Sequence, residues 1–84
     1  MKATLKRRDY TLIYHSEPKS IEIHTRHSQQ RMDLLQLLHH CNLSQINDQQ
    51  HQMYTEAIRF YSTCATQALS VAMLLWSDAK FEYE

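Results

Sequence analysis

Six histidines and two cysteines are the residues of this chain best suited to holding a metal ion or starting nucleophilic chemistry. The densest group is His39-His40-Cys41, inside the stretch LLQLLHHCN. Imidazole nitrogens and thiolates are ordinary zinc ligands, so the question is whether the three side chains converge. Successive helical residues point about 100° apart, and only residues three or four apart become neighbours. In a helix over residues 28–41, Leu34, Leu37, Leu38 and Cys41 form one apolar stripe, while His39 and His40 diverge on the polar side. The spacing predicts the tail of a helix, with Cys41 in the core and Asn42 as a left-handed C-terminal cap. His24 and His27 are the best remaining pair, with His15 or His51 as distant third ligands. No Cys-x-x-Cys or His-Glu-x-x-His spacing joins them, so no metal and no cofactor is expected. Several histidines titrating between pH 5 and 8 make pH sensitivity the milder expectation.

Catalysis finds little support. Cys41 and Cys64 both fall on apolar helical faces, where a thiol is usually inert. Glu17, Glu22 and Asp33 have no spacing that pairs them as acid and base. The chain contains no glycine. Phosphate-cradling loops, dinucleotide fingerprints and nucleophile elbows need glycine where the backbone turns with positive φ or approaches a ligand closely. A nucleotide-dependent enzyme or a standard hydrolase is therefore disfavoured, and no enzyme is expected.

The elements that must position these residues follow from two periods. Residues 9–15 (DYTLIYH) and 20–26 (SIEIHTR) alternate with a period of two, separated by SEPKS, where Pro18 marks a turn. They predict a β-hairpin. Ser28 reads as the N-cap of the short helix 28–41. From Asp48 to about Ala79 no proline or glycine interrupts an apolar face, which predicts one long amphipathic C-terminal helix over residues 48–79. The last residues, DAKFEYE, read as a frayed end. The expected fold is α+β: an N-terminal hairpin, a short helix and a long helix, in a single small domain of 84 residues.

A chain this short buries only about 60% of its unfolded surface, so it is marginal without a partner. The long helix has an apolar arc wider than one packing seam needs, lined in the middle by small residues such as Ala57, Ala68 and Ala72. Phe60, Tyr61, Ala68, Val71, Ala72, Leu75 and Trp76 are therefore expected to form an interface, first of all in a homodimer. Its longest apolar run, ALSVAMLLW, is too short to span a membrane. No secretory leader is visible in MKATLKRRDY, and two cysteines make no disulfide framework, so a cytoplasmic setting is expected.

Net charge is zero but unevenly spread: residues 1–31 hold seven Lys/Arg against three Asp/Glu, and the remainder two against six. Lys6, Arg7, Arg8 and Arg26 are the candidate contacts for nucleic acid or an acidic protein surface. The strand at 20–26 followed by two helices resembles, in order alone and over roughly residues 20–65, the ribbon-helix-helix repressors. That resemblance implies a strand in the major groove, with Glu22, His24 and Arg26 towards the bases and Ile21 and Ile23 packed inward. The expectation placed first is a small regulatory or adaptor protein that binds an as yet unidentified protein. A DNA-binding regulator is the alternative.

Overall fold

The computed structural model describes all 84 residues. Five strands form one antiparallel sheet in the order β4-β3-β2-β1-β5: β1 (Lys2–Lys6), β2 (Tyr10–Ser16), β3 (Lys19–Thr25), β4 (Gln29–Met32) and β5 (Lys80–Tyr83). Three helices, α1 (Leu34–Leu43), α2 (Asp48–Ala65) and α3 (Leu69–Leu75), lie between β4 and β5 in the chain. β2 and β3 occupy the two stretches with a period of two and pair from Tyr10↔Thr25 to Ser16↔Lys19. The turn between them contains a cis Glu17–Pro18 peptide. Alternation assigns one face to the core, with Ala3, Leu5, Leu12, Tyr14, Ile21 and Ile23 all buried. The other face is open and polar, and pairing sets Thr4, Ile13, Glu22 and Arg31 in a row across four strands.

The expected hairpin with one short and one long helix is corrected here. The hairpin is the middle of a five-stranded sheet, extended on one side by β4 and on the other by β1 and then β5. Residues 29–32 form an edge strand instead of a first helical turn, because Met32 completes the core beside Ile21. Helix α1 starts later, with Asp33 as N-cap in a capping box with Gln36. Its C-cap is Ser44, with φ −89°, so Asn42 makes no left-handed cap. Leu37 alone of its residues is fully buried, while Leu35 and Leu38 are exposed.

The long C-terminal helix is absent. An unbroken helix over residues 48–79 would span roughly 45 Å, but the longest dimension of the molecule is 33 Å. Helix α2 is capped by Asn47 and ends at Ala65; the chain reverses through Gln67, which adopts φ 59°. No glycine marks that break. Tertiary packing holds it instead: the return brings Trp76 edge-on to Phe60, ring centroids 5.3 Å apart, and Phe81 edge-on to Phe60 at 5.9 Å. Residues 80–83 are not frayed but pair with β1, from Ala3↔Tyr83 to Lys6↔Lys80. Helix α2 is the centre of the helical layer, burying Met53, Ala57, Phe60, Tyr61 and Cys64 against the sheet.

Candidate functional site

The turn joining β1 to β2 carries Arg7, Arg8 and Asp9 over the side of α2. There Glu56, on the polar side of α2, meets Arg7. The Arg7 Nε and Nη2 donate to Glu56 Oε1 and Oε2 at 2.9 and 2.6 Å, a bidentate pair. Tyr10 donates its hydroxyl to Oε1 at 2.5 Å, and Trp76 donates its indole N–H to Oε2 at 3.2 Å. Arg7 Nη1 also reaches Asp78 Oδ2 at 3.2 Å. A carboxylate has about four acceptor sites, and all four are taken.

The electrostatics follow the geometry. Burial pushes the Glu56 carboxyl upward, but hydrogen bonds from Arg7 and Tyr10, the Arg7 charge and the Trp76 N–H outweigh it, holding Glu56 below the usual carboxylate range. Arg7 is held more firmly protonated by its hydrogen bond to Glu56, against the opposing effect of burial. Burial and then Glu56 raise Tyr10 well above an ordinary phenol. Saturated in this way, Glu56 has no lone pair left for a substrate proton. It is a clamp that joins β1, β2, α2 and the end of α3.

Beside the clamp lies a trough. One part, of about 450 Å³, is lined by Arg7, Tyr10, His51 and Arg59 among others. It shares Arg7, Tyr10 and Gln52 with an open groove of about 1110 Å³ between the two strand turns and the first turns of α2. Of the expected anion contacts, Arg7, Arg8 and Arg26 come together in this groove. Lys6 does not: it points to the open face of the sheet, 3.8 Å from Glu82.

The expected interface residues divide. Phe60, Tyr61, Ala72 and Trp76 are buried in the chain's own core, so no partner reaches them without opening the fold. Ala68 is half-buried at the N-cap of α3. Val71 and Leu75 are exposed, and α3 adds exposed Met73 and Leu74 beside them. A second apolar surface, Leu35, Leu38, Leu43 and Ile46, belongs to α1 and the loop after it.

The histidines are dispersed. His40 stacks on Tyr54 with ring centroids 5.6 Å apart, and His51 Nδ1 lies 3.8 Å from the Cys41 Sγ. Cys41 is half-buried rather than in the core. His15 Nε2 is 2.7 Å from Glu22 Oε2 on the open sheet face, and His24 Nε2 is 3.9 Å from Glu22 Oε1. No three His, Cys, Asp or Glu side chains converge tightly enough to hold a metal ion. Cys64 is buried, and burial pushes its thiol up to about 12.

β3, the strand that carries the ribbon-helix-helix resemblance, lies inside the five-stranded sheet, paired on both sides by β2 and β4, and is not part of a two-stranded ribbon. Compared with known proteins, the chain matches no family model, no curated protein and no solved structure. Helical periodicity alone sets Glu56 and Arg59 on the polar side of α2, and no spacing in the sequence links either to Tyr10. The signal that marks Glu56 is a lone carboxylate within a turn of core residues Met53, Ala57 and Phe60.

Proposed function

We propose that this chain acts by binding other protein chains, in the first place a second copy of itself through the outer side of α3. The observation that carries this reading is the exposure of Val71, Leu74 and Leu75, at 47%, 77% and 52%. Positions i, i+3 and i+4 share one side of a helix, so the three form a continuous apolar ridge. Helix α3, LSVAMLL, has no charged residue, so a symmetry-related copy meets no like charge in a two-fold pairing. Exposed large aliphatic residues grouped on one element mark interaction surfaces more often than bare solvent faces.

The apolar surface of α1 supports an adaptor role for the dimer. Helices α1 and α3 each pack on α2, and α1 lies beside β4 while the Trp76 end of α3 lies near β5. A dimer closed at α3 would leave Leu35, Leu38, Leu43 and Ile46 free for a different protein. Catalysis has no part in this reading: Glu56 is saturated, and burial keeps the Cys64 thiol protonated at neutral pH.

The test is light scattering after size exclusion on the wild type and on Leu74→Asp, with circular dichroism on both. The expected result is twice the 10.1 kDa chain mass for the wild type and the single mass for the variant, with unchanged helicity. A wild-type monomer at the highest soluble concentration, or a Leu74→Asp dimer as tight as wild type, overturns the reading.

A further inference from the structure

Four of the five arginines, Arg7, Arg8, Arg26 and Arg59, line the trough beside α2, and none of the four lysines does. Of the nine carboxylate side chains only Asp9 and Glu56 reach it, and Glu56 is neutralised by Arg7. Every ion pair in the molecule is made by Lys6, Arg7, Lys80, His15 or His24, so Arg8, Arg26 and Arg59 have no carboxylate partner. A chain of zero net charge thus gathers unpaired guanidinium groups along one concavity.

Guanidinium and ammonium groups are not equivalent. The planar fork of arginine matches phosphate oxygens two at a time and stacks on flat rings, whereas lysine is a hydrated point charge. Charge placed for solubility alone would not sort the two types by surface. The rest of the lining has the same character. The groove of about 1110 Å³ exceeds the ~300–1,000 Å³ usual for small-molecule pockets and is partly open to solvent, so it has room for a segment of a polymer. Gln30, Gln49, Gln50 and Gln52 bring side-chain amides, each both donor and acceptor, and Tyr10 and Tyr54 bring aromatic rings, Tyr10 with its hydroxyl held by Glu56 and Tyr54 with one face already stacked on His40.

We propose that this trough binds a short stretch of single-stranded nucleic acid. Arg8, Arg26 and Arg59 meet the phosphates, while the glutamine amides and tyrosine rings meet the bases. An acidic peptide would use the arginines, but its carboxylates offer no heteroaromatic face to stack on the tyrosine rings. A duplex is too broad to enter between the strand turns and α2 of a molecule only 20 Å across in its shortest dimension, and would touch the rim alone. The site lies away from the α3 ridge, so it stands or falls independently of self-association.

The experiment is fluorescence anisotropy on the full chain with labelled 12-nucleotide oligo-dT and oligo-U at 50 mM salt. The double variant Arg8→Glu/Arg26→Glu changes two exposed turn residues. Lys2→Glu/Lys19→Glu makes the same charge change elsewhere. The expected result is wild-type binding that weakens as salt rises. The arginine variant is expected to lose about tenfold or more in affinity and to flatten the log–log salt slope by about 1.4, whereas the lysine variant stays within about twofold. No wild-type binding overturns the proposal, as does equal loss in both variants, which would mean net charge alone. Equal competition by a duplex of the same length or by polyglutamate overturns the single-strand assignment.

Discussion

Two glutamates, both mostly buried, sit in contrasting company. Glu56 on α2 accepts from four donors on Arg7, Tyr10 and Trp76. Glu22 on β3 has His15 at 2.7 Å and His24 at 3.9 Å, and the buried Nε2 of His24 has no hydrogen-bond partner at all. Their side chains are similarly exposed, 15% and 20%, so solvent does not explain the difference. Topology does. Glu56 is met by residues 46 and 49 positions earlier and 20 later in the chain, which only a finished fold brings together. Glu22 is met by residues on its own and the adjoining strand. The first pair of carboxylate oxygens reports on the fold, the second on local surroundings.

Removing the Arg7 guanidinium should separate the two most sharply. Arg7→Met leaves Glu56 charged, largely buried and short of two hydrogen bonds. The expected loss is about 3 kcal/mol, the lower end for breaking a buried pair because both side chains keep some exposure. Urea denaturation measures it, and a loss below about 1 kcal/mol would mean that the clamp is an ordinary surface pair.

A smaller effect is expected from acid. Glu56 is held below its ordinary range in the fold. A group with a lowered folded pKa contributes stability that is fully present above its unfolded value, about 4.3, and lost as pH falls through the folded one. Wild-type stability should therefore decline below about pH 5, and the decline should be shallower in Glu56→Gln. Parallel pH profiles would assign the acid sensitivity to other carboxylates. The hydrogen bond from His15 lowers Glu22 too, against burial and with help from the charges of His15, His24 and Arg31. The smallest change is expected from Glu22→Gln, below about 1 kcal/mol at neutral pH in the same urea assay. A cost equal to that of Arg7→Met would erase the distinction between the two sites.

The same divide between near and far separates what the sequence discloses from what it hides. The hairpin at β2 and β3 is legible because Leu12, Tyr14, Ile21 and Ile23 alternate on strands joined by two turn residues. Strand β1 has the same alternation, Ala3 and Leu5 between Lys2, Thr4 and Lys6, but its lysines and Arg7 read as a charge run. Strand β5 alternates as well, yet its partner lies more than seventy residues away. Strand β4 buries only Met32 and carries almost no pattern. The α2–α3 break is invisible in composition because Gln67 takes a left-handed turn without glycine, held by Trp76 against Phe60. Of the candidate sites, Arg7, Arg8 and Arg26 were legible by charge, whereas Glu56 and Arg59 needed the strand turn to fold over α2. The apolar arc of residues 54–76 announced an interface but could not say which half the chain would bury itself.

The pairing of β1 with β5 also fixes how the molecule answers a pull. Lys2 and Glu84 exchange backbone hydrogen bonds at 3.4 and 2.8 Å, at the end of the ladder where the strands leave the sheet. Tension applied through those two residues loads the ladder as a zipper, one pair after another, instead of shearing all of its bonds together. Strand β5 would peel away first and take with it the packing of Phe81 on Phe60, so the sheet yields to force at its last-added edge while the β2–β3 hairpin still holds.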